Sequence, residues 1–248
     1  MLTDKLRSLM VVGLLAALLP VVVSASEGES FPHAGNDVRN TASLQRGARN
    51  FMNYCSGCHS AQYVRYNRVA TDLGISDADL KANLMFTSDK PADTIRSALK
   101  ADDARAWFGN APPDLSLIAR SRGTDYLYAF LRGFYLDPSR PTGMNNVALK
   151  GTAMPHVLFD LQGLQQAVYA PAKAGVAPVI EKLELTTKGS LTPEQYDDFV
   201  RDTVNFLDYI GEPVQVKRRD LGVWVTLFLL VFAGFAYMLK REYFRDIH

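Results

Sequence analysis

"NYCSGCHSAQY", residues 53–63, contains both cysteines of the chain, Cys55 and Cys58, with His59 directly after them. Two cysteines at this spacing occur in redox-active dithiols, in zinc sites and at covalent haem attachment sites. A redox-active dithiol lies at the start of a helix that follows a strand, whereas the residues before Cys55 have a helical pattern. The motif therefore does not favour thioredoxin-like chemistry.

The choice between zinc and haem depends on the other histidines. A structural zinc ion needs four protein ligands, usually supplied as two pairs. The remaining histidines are isolated in the sequence and form no pair: His33, His156 and His248. Cys-x-x-Cys-His is the signature of covalent haem attachment, in which two thiols bond to the vinyl groups and the histidine is the proximal iron ligand. We predict one covalently bound haem c at Cys55, Cys58 and His59, with two buried structural cysteines as the alternative.

The N-terminus has the features of a secretory signal peptide. Lys5 and Arg7 precede an apolar run that ends at Val23, and small residues follow it. The run is too short for a membrane span and is interrupted by Pro20. We predict a signal peptide over residues 1–25, which agrees with the oxidising compartment that haem attachment requires.

A second apolar run, residues 221–239, contains no charged residue. As a helix it would be roughly 28 Å long, close to the hydrocarbon thickness of a bilayer. We predict a linker and transmembrane anchor over 217–239 and a cytoplasmic tail over 240–248. Basic residues flank both ends of the run, so the positive-inside rule does not orient it. The signal peptide does, and places residues 26–216 on the periplasmic side of the inner membrane.

Residues 26–216 are expected to form one exported haem domain, because this length is typical of a single domain. Acidic residues slightly outnumber basic ones in this range. A nucleic-acid partner requires a basic face, so we expect no such partner.

Two helices with clear boundaries are predicted in this domain. Residues 41–55 lead into the cysteine motif and place the small residue Gly47 where another helix can cross. In residues 190–213, Thr192 and Gln195 form a capping box before apolar residues at helical spacing. We expect the two helices to cross at Gly47.

The segments 60–110 and 133–190 are rich in Pro, Gly, Asn and Asp. We predict that they are loops with short helices. The fold class is therefore mainly α, with long loop insertions and one C-terminal transmembrane helix.

The second axial ligand of the iron is open on chemistry alone. Besides Met154, the candidates are His33, Met85, Met144 and His156. We favour Met154, because Pro155 and the preceding residues fit an exposed turn that would hold the thioether stiffly. A methionine opposite a histidine raises the reduction potential and closes the iron to other ligands, which suits electron transfer.

Three further segments resemble the cytochrome c1 family, the haem subunit of the quinol–cytochrome c oxidoreductase (cytochrome bc1) complex. They are "APPDLSLIARSRGTDYLYAFLRGFY" (111–135), "AMPHVLFDLQG" (153–163) and "VNFLDYIGEP" (204–213), the last followed by one span. The resemblance implies a cytochrome c-like haem domain in which Met154 is the axial methionine.

The same resemblance implies further haem contacts. Pro112 and Pro113 would line the haem edge, while Arg122 and Tyr126 would approach a propionate. Arg120 is the competing arginine.

The function that the resemblance implies is a relay of single electrons. The haem would receive electrons from a Rieske iron–sulfur subunit beside a cytochrome b subunit, and pass them to a c-type cytochrome acceptor. Such a subunit is not an enzyme on its own. The alternatives are an anchored cytochrome c of a terminal oxidase or nitric oxide reductase, and a haem sensor or peroxidase with an open iron site.

Overall fold

The computed structural model describes residues 31–171 and 178–247, so the predicted signal peptide lies outside the described residues. The helices in the described part are α1 (Thr41–Tyr54), α2 (Tyr66–Leu73), α3 (Asp77–Asn83), α4 (Ala101–Phe108), α5 (Ile118–Arg122), α6 (Thr124–Arg132), α7 (Phe159–Gln162), α8 (Pro193–Gly211) and α9 (Gln215–Tyr243), followed by a 3-10 turn at Arg245–Ile247. The strands are β1 (Ala61–Arg65), β2 (Thr94–Ile95), β3 (Phe134–Leu136), β4 (Met144–Asn146), β5 (Gly163–Tyr169) and β6 (Ile180–Lys188). They pair in order as antiparallel two-stranded sheets, β1 with β2, β3 with β4 and β5 with β6. The predicted class, a mainly α fold with one C-terminal apolar helix, is confirmed.

Helices α1 and α8 cross at Gly47, as predicted. A Cβ at this position would lie 2.0 Å from the Asp202 carbonyl oxygen and 2.7 Å from the Phe206 Cβ, so only glycine allows the two backbones to approach this closely. Next to the crossing, Arg46 donates two hydrogen bonds to the Asp202 carboxylate, at 2.5 and 2.9 Å. One turn further on, the rings of Phe51 and Phe206 lie 5.7 Å apart in the core.

Both helices begin at the caps that their sequences provide. At α1, the Asn40 side chain accepts a hydrogen bond from the Ser43 N–H. At α8, the predicted capping box is confirmed: Thr192 Oγ1 accepts from the Gln195 N–H, and Gln195 Oε1 accepts from the Thr192 N–H. These side chains satisfy backbone donors that lack partners at a helix start.

The prediction of loops with short helices was wrong at the strands: β1 and β2 lie in 60–110, and β3 to β6 lie in 133–190. Of these, β5 and β6 form a long hairpin. The pairing shifts register between Leu164 and Gln165 and again between Val168 and Tyr169. Most of β6 is exposed on both faces. A strand that is exposed on both faces does not need apolar residues at every second position, and a register shift interrupts that period. The sequences of β5 and β6 therefore lack a sustained alternation of apolar and polar residues.

Helix α9 is long and apolar enough to cross a membrane, and no residue of its apolar stretch is buried in the isolated chain. It begins at Gln215, so the basic residues of the predicted linker form its first turns. Two ion pairs connect these turns to the domain. Arg218 donates to the Glu212 carboxylate at 2.5 and 3.1 Å, and Arg39 pairs with Asp220 at 2.8 Å.

Candidate haem site

A cavity of about 300 Å³ opens beside the end of α1 and is lined almost entirely by apolar side chains. Its walls come from the cysteine motif, the end of α4, the segment 110–115, helices α5, α6 and α8, and the loop 149–157. The eight residues predicted to contact a haem all line it: Cys55, Cys58, His59, Pro112, Pro113, Arg122, Tyr126 and Met154. These eight residues, which lie up to about a hundred positions apart in the sequence, therefore line the same cavity.

The two cysteines lie on a tight turn that ends α1. The Cys55 N–H donates to the Phe51 carbonyl at 2.9 Å, and the His59 N–H donates to the Cys55 carbonyl at 2.8 Å. Cys55 is half-buried, Cys58 is exposed, and the two do not form a disulfide. Burial, together with the neighbouring Cys58, raises the pKa of Cys55 to about 12.

This environment is the opposite of that of a redox dithiol, whose attacking thiol has a lowered pKa at a helix N-terminus. A zinc site has no support either, because the described residues contain no group of three or more His, Cys, Asp or Glu side chains placed to hold a metal ion.

His59 is oriented by the chain itself. Its Nδ1 lies 2.8 Å from the Pro113 carbonyl oxygen, and an Nδ1–H donor satisfies this contact. The other ring nitrogen, Nε2, is then the one with a free lone pair. Burial lowers the pKa of His59, so the ring is neutral, as an iron ligand must be.

The segment that carries Pro112 and Pro113 is fastened to β1 by Asp114 and Ser116. The Asp114 carboxylate accepts hydrogen bonds from the Gln62 N–H at 3.0 Å and the Ser116 N–H at 2.9 Å. Ser116 Oγ accepts from the Tyr63 N–H at 3.1 Å and is fully buried. The Asp-Leu-Ser sequence thus positions the carbonyl that holds His59.

Arg122 and Arg120 are placed differently. The Arg122 guanidinium lies 5.7 Å from the centre of the Tyr126 ring, and both residues line the cavity. Arg120 does not line it; its guanidinium lies 3.6 Å from the Glu212 carboxylate. Burial raises the pKa of Tyr126, and the nearby Arg122 charge partly offsets this rise.

Of the five candidate axial residues, only Met154 lines the cavity. Met144 is buried in β4, Met85 lies in the core, and His33 is exposed. His156 is buried two residues beyond Met154, and its ring stacks on Phe134 rather than lining the cavity.

The apolar walls of the cavity are not among the site residues predicted from the sequence. Leu127 and Leu131, one turn apart on α6, line it together with Phe130, and Leu207 of α8 does so from the other side. The spacing of Leu127 and Leu131 is a visible helical signal, but such a stripe does not distinguish a cavity wall from ordinary core packing.

The residues present fit a covalently bound haem. Two thiols and a neutral imidazole with a free Nε2 flank an apolar cavity, a thioether lies on another wall, and an arginine provides a cation suited to a propionate. A Cys-x-x-Cys-His turn beside such a cavity, together with one apolar helix, defines the class of membrane-anchored c-type cytochromes.

The chain belongs to the cytochrome c1 family, whose family model matches residues 36–247. It is 48% identical over 244 residues to cytochrome c1 of Allochromatium vinosum, covering 98% of this chain and 100% of that protein. It is 45% identical over 237 residues to a protein of Nitrosomonas europaea named ammonia monooxygenase gamma subunit, covering 95% and 97%. It is 32% identical over 226 residues to cytochrome c1 of Rhodospirillum rubrum, covering 82% and 81%. Membership of this family implies haem c and a role in respiratory electron transport.

Proposed function

We propose that this chain is the cytochrome c1 subunit of a respiratory quinol–cytochrome c oxidoreductase and relays single electrons from a Rieske iron–sulfur subunit to a c-type cytochrome. The observation that carries the proposal is the meeting of all eight expected haem residues around one apolar cavity in a chain of this family. A haem c held there would supply a reversible one-electron couple.

Each residue has a distinct part in holding the cofactor. Cys55 and Cys58 would form one thioether bond each, and His59 would bind the iron through Nε2 because Pro113 takes its Nδ1–H. Met154 would bind the opposite face and exclude other ligands from the iron. Arg122 would pair with a propionate.

The membrane placement is part of the proposal. Export by residues 1–25 would put the haem domain on the periplasmic side, with α9 as a single span and the C-terminal tail in the cytoplasm. Helix α9 begins shortly after the end of α8, and its Arg218 pairs with Glu212. This short connection supports a haem domain that lies close to the membrane surface, where a cytochrome b and a Rieske subunit would bind it.

The axial ligand is tested by a matched pair of methionine variants in the purified holoprotein. Met154→Leu should abolish the weak sulfur-to-iron charge-transfer band and lower the reduction potential, because the thioether is lost. Met144→Leu, buried outside the cavity, should leave both unchanged. The reverse result would refute the assignment, and haem that extracts with acid from the denatured chain would refute covalent attachment.

The assembly is tested by purification in mild detergent from native membranes. A b-type cytochrome and an iron–sulfur protein should co-purify, quinol should reduce the haem rapidly, and an inhibitor of quinol oxidation should block that reduction. Co-purification with a terminal oxidase, a nitric oxide reductase or a monooxygenase, with reduction insensitive to the inhibitor, would contradict the proposal and assign the chain to that assembly. Tight carbon monoxide binding to the reduced wild-type haem that Met154→Leu does not strengthen would favour a sensor or peroxidase.

A further inference from the structure

Four rings form a continuous row, which we call the aromatic row: Tyr126, Phe130, Phe134 and His156. The first two line the cavity and the last two do not. Tyr126 and Phe130 are stacked with their centres 6.1 Å apart. Phe130 meets Phe134 edge to face at 5.2 Å, and Phe134 stacks on His156 at 4.9 Å with the planes 9° apart. The row begins beside the Arg122 guanidinium and ends two residues from Met154.

His156 is an unusual member of this row. It is only 5% exposed, and neither ring nitrogen has a hydrogen-bond partner. The Gln162 side chain and the Gly163 backbone lie beside the ring, and they partly offset the effect of burial, which lowers its pKa to about 4. Neither contact has hydrogen-bond geometry. Because the ring lies flat on Phe134 and makes no hydrogen bond, it packs as a flat apolar surface, although burying an unpaired nitrogen carries a cost.

His156 lies in the same loop as Met154, and the restraint of that loop offers a reason why a buried unpaired nitrogen is tolerated. Within the loop that carries Met154, Gly151 is held by hydrogen bonds of 2.8 Å to Asn145 and Arg140. The hydrogen bonds next to Met154 are longer: Met154 N–H to Thr152 Oγ1 at 3.3 Å and Phe159 N–H to the His156 carbonyl at 3.4 Å. Long bonds of this kind restrain a loop weakly. Phe134, by contrast, is almost fully buried in β3 and is a firm support for a parallel stacked ring.

We propose that His156 is a positioning residue, whose stacking on Phe134 holds the loop so that the Met154 thioether stays on the haem iron. The inference rests on the proposed function, since it takes Met154 as the axial ligand. What matters for this role is the flat ring and not the imidazole nitrogens. A phenyl ring should therefore replace His156, and an aliphatic side chain of similar size should not.

The experiment compares His156→Phe with His156→Leu in the full-length holoprotein in detergent. Both variants keep the site filled with an apolar side chain, but only the first keeps the stacking. His156→Leu should weaken the charge-transfer band on mild warming and raise the apparent affinity of the reduced haem for carbon monoxide about tenfold, or about 1.4 kcal/mol. His156→Phe should match wild type in both readouts, as should Phe159→Leu, an exposed ring nearby.

A third variant keeps the test decisive if His156→Leu folds poorly. Phe134→Leu removes the other half of the stack and should raise carbon monoxide affinity to a similar extent, while the double variant should add little. Wild-type behaviour of both leucine variants, or a loss of the band in His156→Phe, would overturn the proposal. Failure of the underlying ligand assignment looks different, because Met154→Leu would then leave the charge-transfer band intact.

Discussion

Replacing Gly47 with alanine tests the crossing on which the domain is built. The added Cβ would lie 2.0 Å from the Asp202 carbonyl oxygen, and the next nearest atom is the Phe206 Cβ at 2.7 Å. Backbone cannot rotate away as a flexible side chain does, so α1 and α8 must separate. Overpacking of this kind costs about 3 kcal/mol, at the upper end of the usual range. Alanine recovers about 1 kcal/mol through its higher helix propensity.

The net loss of about 2 kcal/mol should lower the thermal midpoint of the haem domain by about 4–8 °C, given its size. The assay is thermal unfolding of the full chain in detergent, followed by circular dichroism and by haem absorbance. Arg49→Ala, on the exposed face of the same helix, is the control and should leave the midpoint nearly unchanged. A Gly47→Ala variant that melts at or above the wild-type temperature would refute the argument from close backbone approach.

Three further predictions concern the ends of α8 and α9. Thr192→Ala should cost about 1 kcal/mol, because the Gln195 N–H loses its acceptor, and should lower the thermal midpoint by about 2–4 °C; an unchanged midpoint would contradict the capping box. Hydrogen bonds from Arg218 lower the pKa of Glu212, so its stabilising effect should be full above pH 4.5, the ordinary carboxyl value, and lost as the pH falls through the lower folded pKa. The difference in midpoint between wild type and Glu212→Gln should therefore be present at neutral pH and disappear in acid; a difference that grows in acid would refute this sign. A chain ending after Asp220 keeps the Glu212–Arg218 pair and removes the exposed apolar part of α9, so it should be soluble without detergent, and sedimentation as an aggregate would argue for another membrane surface.

Features that depend on neighbouring residues were determined by the sequence alone. The Cys-x-x-Cys-His turn spans five residues, the α8 capping box joins positions three apart, and the apolar run of the anchor is contiguous. Their physical causes act within one or two helical turns, so their residues can be identified without knowing the fold. Gly47 was also visible, because a small residue beside an aromatic on one helix face indicates a crossing.

Other features were decided only by tertiary structure. Arg120 and Arg122 are two positions apart on α5, which places them on opposite sides of a helix, and the packing of α5 against α8 alone turns Arg122 to the cavity and Arg120 to Glu212. Pro155 favours Met154 over Met144 in the sequence, but only the pairing of β3 with β4 shows that Met144 is buried away from the cavity. The aromatic row likewise depends on the contact between Phe134 and His156, which are more than twenty positions apart in the chain. Such choices depend on which surfaces meet after folding, and a local pattern contains no information about a surface supplied by a distant segment.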